Sequence, residues 1–204
     1  MVNRLTSVFD AFRACKVRSL RIRVKPPKKY PWYLQPFFWN QRRKYGQVLN
    51  PGLVWGRVPR LFVAVATLYG AFDNRFSALT PVLRCLITVR VAQIRMCHFC
   101  MDLNSATLAR RCGSMEKVMQ LPQWRESTLF DAVERAVLDY AEAVTRLDCE
   151  VTDGQFAALR NHFDEAGIVE LTGLIAFQNM SSIFNRSLDV AAQDFCEITP
   201  DTRE

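Results

Sequence analysis

Residues 96–104 read MCHFCMDLN, which places two thiols, Cys97 and Cys100, three positions apart with His98 between them. Asn104 follows four positions after the second thiol. Side chains at i and i+3 are neighbours on a helix, so two thiols at that spacing can approach each other at a helix start. The first turn of a helix leaves N–H groups unpaired, and its dipole favours a thiolate there. An ordinary thiol titrates near 8.5, so lowering it by about two units leaves most of it ionised at neutral pH. A protonated His98 pushes the same way. Asn104 lies seven positions after Cys97, nearly two turns on, and returns to the same face. Its amide can hydrogen-bond a sulfur or a bound peroxide oxygen, but it cannot shuttle a proton.

On residue types alone the pair is a redox couple, half of a zinc site, or two small hydrophobes on a buried helix. Zinc needs two more ligands. Cys85 and Cys112 stand twelve residues to either side of the pair, yet neither belongs to a second CxxC or a spaced histidine pair. His98 reads equally as an exposed spacer and as a participant. Tyr140 reads as a core aromatic, and Arg186 as one half of an ion pair. Gln178 and Asn179 interrupt an apolar stretch, and buried amides there must find partners.

The elements that must position these residues read as helices. An apolar spacing of Leu5, Val8, Phe9, Phe12 and Val17 predicts a short amphipathic helix over 1–17. Four prolines in 24–36 predict an extended linker. A short helix follows and ends near Gly46, with a turn at Asn50-Pro51-Gly52. Pro59 opens the next helix, with an apolar stripe at Leu61, Val65, Leu68 and Phe72. Thr80 and Pro81 are the expected cap and first residue of a helix over 79–96. The CxxC pair opens another, closed by Gly113. A modest helix starts at Ser114, and a strong amphipathic one spans 129–147 with Phe130, Val133, Val137, Tyr140, Ala141 and Val144 on one face. Thr152 or Asp153 caps a helix over 152–163, and a long apolar one over 164–188 is expected at the centre of the core. No series of strands is evident, so the predicted class is all-α.

The chain has 204 residues, half of them hydrophobic and 23% charged, which excludes a disordered protein. No apolar run reaches the roughly 18 residues of a membrane span, and the start lacks the apolar block of a secretory signal. The cytoplasm is the expected compartment, where seven cysteines are ordinarily reduced. Residues 1–60 carry 14 Lys and Arg against one acid, Asp10, while the other 144 carry 13 against 19 acids. A basic arm over 1–49 is thus joined to a helical body over 50–204. No nucleic-acid motif accompanies the charge, so the arm, with its aromatic cluster from Tyr30 to Trp39, is expected to drape over a neighbouring subunit rather than nucleic acid.

Residues 50 to 192 resemble the carboxymuconolactone decarboxylase-like superfamily, and within it the alkylhydroperoxidase D-like thiol proteins. The resemblance is carried by LRCLITVRVAQIRMCHFC, the continuation MDLNSATL, the helix ERAVLDYAEAVT, and the long final helix with Asn185-Arg186 near its end. It implies an all-α helical domain, here joined to the basic N-terminal extension, and a homo-oligomer; with no phosphate-binding glycine loop and no further ligand set, no bound cofactor or metal is expected. It also implies that Cys100 attacks a hydroperoxide to become a sulfenic acid. Cys97 then acts as proton donor and resolves Cys100 into a disulfide, which an external dithiol reduces. The relay glutamate and histidine of the peroxidase members fall here on Cys85 and Asn104, so both ionisable ends of that relay are replaced. Cys85 stands at a relay position and reads as a core residue, and His98 is a candidate replacement base. The expected function is a thiol-dependent oxidoreductase acting on hydroperoxides or disulfides. The rival is a non-catalytic or redox-sensing binding or structural member.

Overall fold

The computed structural model describes residues 20–196, so the helix expected over 1–17 lies outside the described residues. Nine α-helices run through the described residues: α1 (Gln35–Tyr45), α2 (Asn50–Trp55), α3 (Pro59–Phe72), α4 (Pro81–Ile94), α5 (His98–Cys112), α6 (Glu116–Gln120), α7 (Ala132–Thr145), α8 (Asp153–Arg160) and α9 (Glu165–Ser187). No strand is present among the described residues, and the class is all-α.

Helix α4 is the hub, because it packs against α5, α7 and α9. Its composition dictates that position: Leu86, Ile87, Val89, Val91 and Ala92 are all wholly buried. Leu83, Ile87 and Val91 meet Val137, Tyr140 and Ala141 of α7 and Ile168, Leu171 and Ile175 of α9. Its other face, Cys85, Leu86 and Val89, meets Leu108 of α5, Val118 of α6 and Trp124. Each such Leu or Ile adds about 2 kcal/mol relative to exposure. A charged contact crosses the same layer. Glu142 of α7, buried, accepts from Arg90 Nε (2.6 Å), Trp124 Nε1 (2.9 Å) and Arg125 Nη1 (2.6 Å). Burial alone would raise its carboxyl, but these donors hold it below the ordinary carboxylate range.

Helix ends follow local chemistry. Thr80 caps α4 and Pro81 opens it, as predicted. Asp131 with Glu134, and Thr152 with Gln155, form capping boxes for α7 and α8. Gly46 and Gly113 close α1 and α5 in the left-handed region, with φ of 76° and 71°.

Four expectations are corrected. Asn50-Pro51-Gly52 is not a turn but the first turn of α2, where Pro51 lacks only an N–H that the helix start leaves unpaired anyway. The α3 stripe is split: Leu61 and Leu68 are exposed, Val65 is half-buried, Phe72 packs on the core, and Phe62 is the buried residue. Ser114 does not start α6, whose N-cap is Met115. The aromatic arm packs on its own chain, since Tyr30, Leu34 and Phe38 join Leu53 and Phe62 in one cluster. Tyr30 Oη donates to the Leu53 carbonyl at 2.8 Å, while Trp32 and Trp39 point outward.

Candidate redox site at the start of helix α5

The junction between α4 and α5 builds the site. Helix α4 closes with Met96 N–H on the Gln93 carbonyl and Cys97 N–H on the Ala92 carbonyl, the bonding of a Schellman stop. Met96 takes the left-handed φ of 53° that such a stop requires, a conformation that costs a non-glycine residue about 1 kcal/mol. That sharp turn makes Cys97 the N-cap of α5. Its Sγ accepts the Cys100 backbone N–H at 3.3 Å, so a sulfur does the work usually given to a serine or aspartate oxygen.

Cys97 and Cys100 are joined as a disulfide, with Cα atoms 5.3 Å apart, inside the range a bridge needs. Across from Cys100, Asn185 near the end of α9 donates Nδ2–H to its Sγ at 3.3 Å. Asn185 Oδ1 is buried and has no hydrogen-bond partner among the described residues. Gln178, Ser182 and Asn185 follow at i, i+4 and i+7, so one polar strip on α9 faces inward, and all three are buried. Gln178 Nε2 donates to Ser182 Oγ at 2.9 Å, and Asn104 Nδ2 reaches Gln178 Oε1 at 3.5 Å. Asn104 is thus tied to the amide strip.

Cys85 does not join the sulfurs. Cys85 packs in the separate Leu86–Leu108–Trp124 cluster, with Arg111 Nη1 3.2 Å from its Sγ. Burial raises its thiol, against the opposing charge of Arg111. His98 is the first residue of α5, and burial, then the positive charge of Arg186, lower its imidazole below the ordinary value. Near neutral pH it is therefore uncharged. That removes a cation from the site and leaves a base. Among the described residues Arg186 forms no ion pair, and it donates to the Arg95 carbonyl. Tyr140 is core, its hydroxyl bonded to Thr172 at 2.8 Å. Gln178 and Asn179 find their partners within this chain.

The sulfurs are covered. Cys97 is 1% and Cys100 4% exposed. The cover comes from Val54 of α2, Phe184 and Leu188 at the end of α9, Leu20 and Val24, and Val190 and Phe195. Asp102, one of the buried acids, latches the last of these segments. Its oxygens accept the backbone N–H groups of Gln193 and Cys196, both at 2.8 Å. Burial and then the Asp102 charge push the Cys196 thiol up to about 11. Among the described residues no three His, Cys, Asp or Glu side chains gather into a metal-holding group.

Residues 59–143 match the carboxymuconolactone decarboxylase family. The uncharacterised protein YnjA of Escherichia coli (strain K12) is 42% identical over 175 residues, 86% of this chain and 96% of YnjA. The chain belongs to the carboxymuconolactone decarboxylase-like superfamily. Two solved structures share the fold of this superfamily member. One is a peroxidase-related protein from Ralstonia eutropha JMP134, described as an alkylhydroperoxidase AhpD core (TM-score 0.78, 23% identity, covering 89% of this chain and 95% of that one). The other is the debrominase Bmp8 (TM-score 0.76, 22% identity, covering 88% and 95%). At these identities they establish the helical architecture alone.

Asp102, Asn185, Ser182 and Gln178 were not among the predicted site residues. A signal existed for three of them, because polar types at i, i+4 and i+7 on an otherwise apolar helix mark an inward polar strip. Asp102 gave none, since its partners are backbone groups about ninety residues away in sequence.

Proposed function

We propose that this protein is a thiol-dependent oxidoreductase that reduces hydroperoxides, or exchanges disulfides, through Cys97 and Cys100. The observation that carries the reading is the bonded pair at the mouth of α5, where an N-cap sulfur and an N–H-bearing first turn stabilise negative charge on sulfur. The Cys100 thiolate attacks the distal oxygen of a hydroperoxide. An S–O bond forms, the O–O bond breaks, and the alkoxide leaves as an alcohol with the proton of the Cys97 thiol. The Cys97 thiolate then displaces hydroxide from the sulfenic acid, giving the disulfide and, with a solvent proton, water. A dithiol carrier reduces the pair and is itself oxidised to a disulfide. Neutral His98 serves as a local base. The protein acts as a homo-oligomer in this reading, supported by exposed Leu61, Leu68, Tyr69, Val169 and Ile183 on α3 and α9.

Burial of both sulfurs favours a second reading, a redox sensor or structural member whose pair reacts only when its cover opens. Steady-state consumption of an organic hydroperoxide with a small dithiol separates the two. The first reading expects turnover that Cys100→Ser abolishes, with Cys97→Ser accumulating a sulfenic acid trappable by dimedone. Absence of turnover together with an intact, slowly formed disulfide selects the second.

A further inference from the structure

Resting on the thiol–disulfide reading above, we propose that Asn185 makes Cys100, rather than Cys97, the sulfur that holds negative charge and takes up the peroxide oxygen. The two sulfurs compete for donors. Cys97 has the Cys100 backbone N–H at 3.3 Å and the positive end of α5. Cys100 sits among Val54, Ala92, Phe99 and Val190, surroundings that raise a thiol lacking a donor of its own. The Asn185 amide supplies that donor, at 3.3 Å and 1% exposed, where no water competes for it.

The unpartnered Asn185 Oδ1 adds a second, independent reason. A buried acceptor without a partner is destabilising and rare in folded proteins. A sulfenic acid on Cys100 satisfies it, since the S–O–H proton donates to Oδ1 while Nδ2–H holds the sulfur or its new oxygen. A carboxamide turned by 180° also offers Oδ1 to the protonated thiol. With a donor and an acceptor on one carboxamide, it serves the thiol, the thiolate and the sulfenic acid in turn. The geometry around the pair therefore matches Cys100 before and after it gains oxygen, and the Asn185 donor is aimed at Cys100. The ionisable groups on the surrounding elements include Arg95 at the end of α4, His98 and Asp102 on α5, Arg186 and the Arg21–Asp189 ion pair at the end of α9, and Cys196. Asp102 has its charge occupied by two N–H groups.

The test is the pH dependence of alkylation at each cysteine of the reduced full-length protein, resolved by mass spectrometry. In the wild type, Cys100 titrates below Cys97. In Asn185→Leu, which keeps the shape without the hydrogen bonds, the Cys100 thiolate fraction at neutral pH falls about tenfold and Cys97 becomes the lower of the two. Asn185→Asp, which keeps an acceptor and loses the donor, moves Cys100 in the same direction. A Cys100 profile unmoved in both variants, or a wild-type Cys97 that titrates lower, overturns the proposal. Should the variants fail to fold, the side-chain amide resonances of Asn185 in the reduced wild type decide. They shift through the Cys100 midpoint if the contact carries charge, and a flat titration overturns it. A wild type inert to both hydroperoxide and disulfide substrates whose Cys100 still responds to Asn185 refutes the oxidoreductase reading and retains the thiolate contact. A reactive wild type with an unmoved profile does the reverse.

Discussion

Cys97 and Cys100 make different demands on the chain around them. Cys97 needs only to be the residue before the first turn of α5, and a one-dimensional pattern suffices to place it there. Cys100 needs a group from the far end of α9, which spacing along the chain cannot reveal. His98 lies between these cases, since its position was legible and its charge state was not. With its imidazole lowered by burial and by Arg186, the unfolded chain binds a proton that the folded chain refuses as pH falls below about 6.5. Its contribution to stability is therefore present above that pH and is lost as pH falls through the lower folded value. His98→Gln is expected to flatten the decline in urea midpoint below about pH 6.5. A decline of unchanged steepness would place the titrating group elsewhere. The pair, its helix-opening position and its separation from Cys85 thus differ in how far residue types alone could locate them. Cys85 occupied a family relay position, yet its apolar neighbours on α4 take it into another cluster.

At the scale of elements, caps were the most readable feature. Thr80, Thr152 and Gly113 each carry their role in their own side chain or in its absence. Errors arose where tertiary packing outweighs local pattern. Leu61 and Leu68 of the α3 stripe face outward although their spacing is helical, and a Pro-Gly dipeptide begins α2 instead of turning the chain. The segment after α9 carried no periodic signal at all, yet Asp102 holds it across the CxxC helix through two backbone N–H groups. Asp102→Asn keeps the shape and weakens one of these charge-assisted bonds. Hydrogen exchange over residues 190–196 is expected to quicken about tenfold, the loss of roughly 1.4 kcal/mol of local protection. If this segment is the cover that opens, reduction of the Cys97–Cys100 disulfide by a small dithiol quickens with it. Faster exchange with an unaltered reduction rate would assign access to another part of the cover.

For the whole molecule, the all-α architecture was legible because amphipathic spacing and capping agree over most of the chain. The layering was not, since nothing in one helix states which neighbour covers which face. Helix α4 became the hub because it buries apolar residues on more than one face, while the described part of the arm packs on its own body through Tyr30, Leu34 and Phe38. The consequence for function is that a bonded sulfur pair lies beneath terminal segments rather than in an open cleft. No helix among the described residues is long and apolar enough to cross a membrane. Whether the buried pair reacts is best settled by adding one equivalent of an organic hydroperoxide to the fully reduced protein and locating the lost thiols by mass spectrometry. Rapid disappearance of two thiols, both in the peptide containing Cys97 and Cys100 and both regained on adding a dithiol, is the predicted result. Oxidation spread slowly over all seven cysteines, or confined to exposed Cys149, would contradict it.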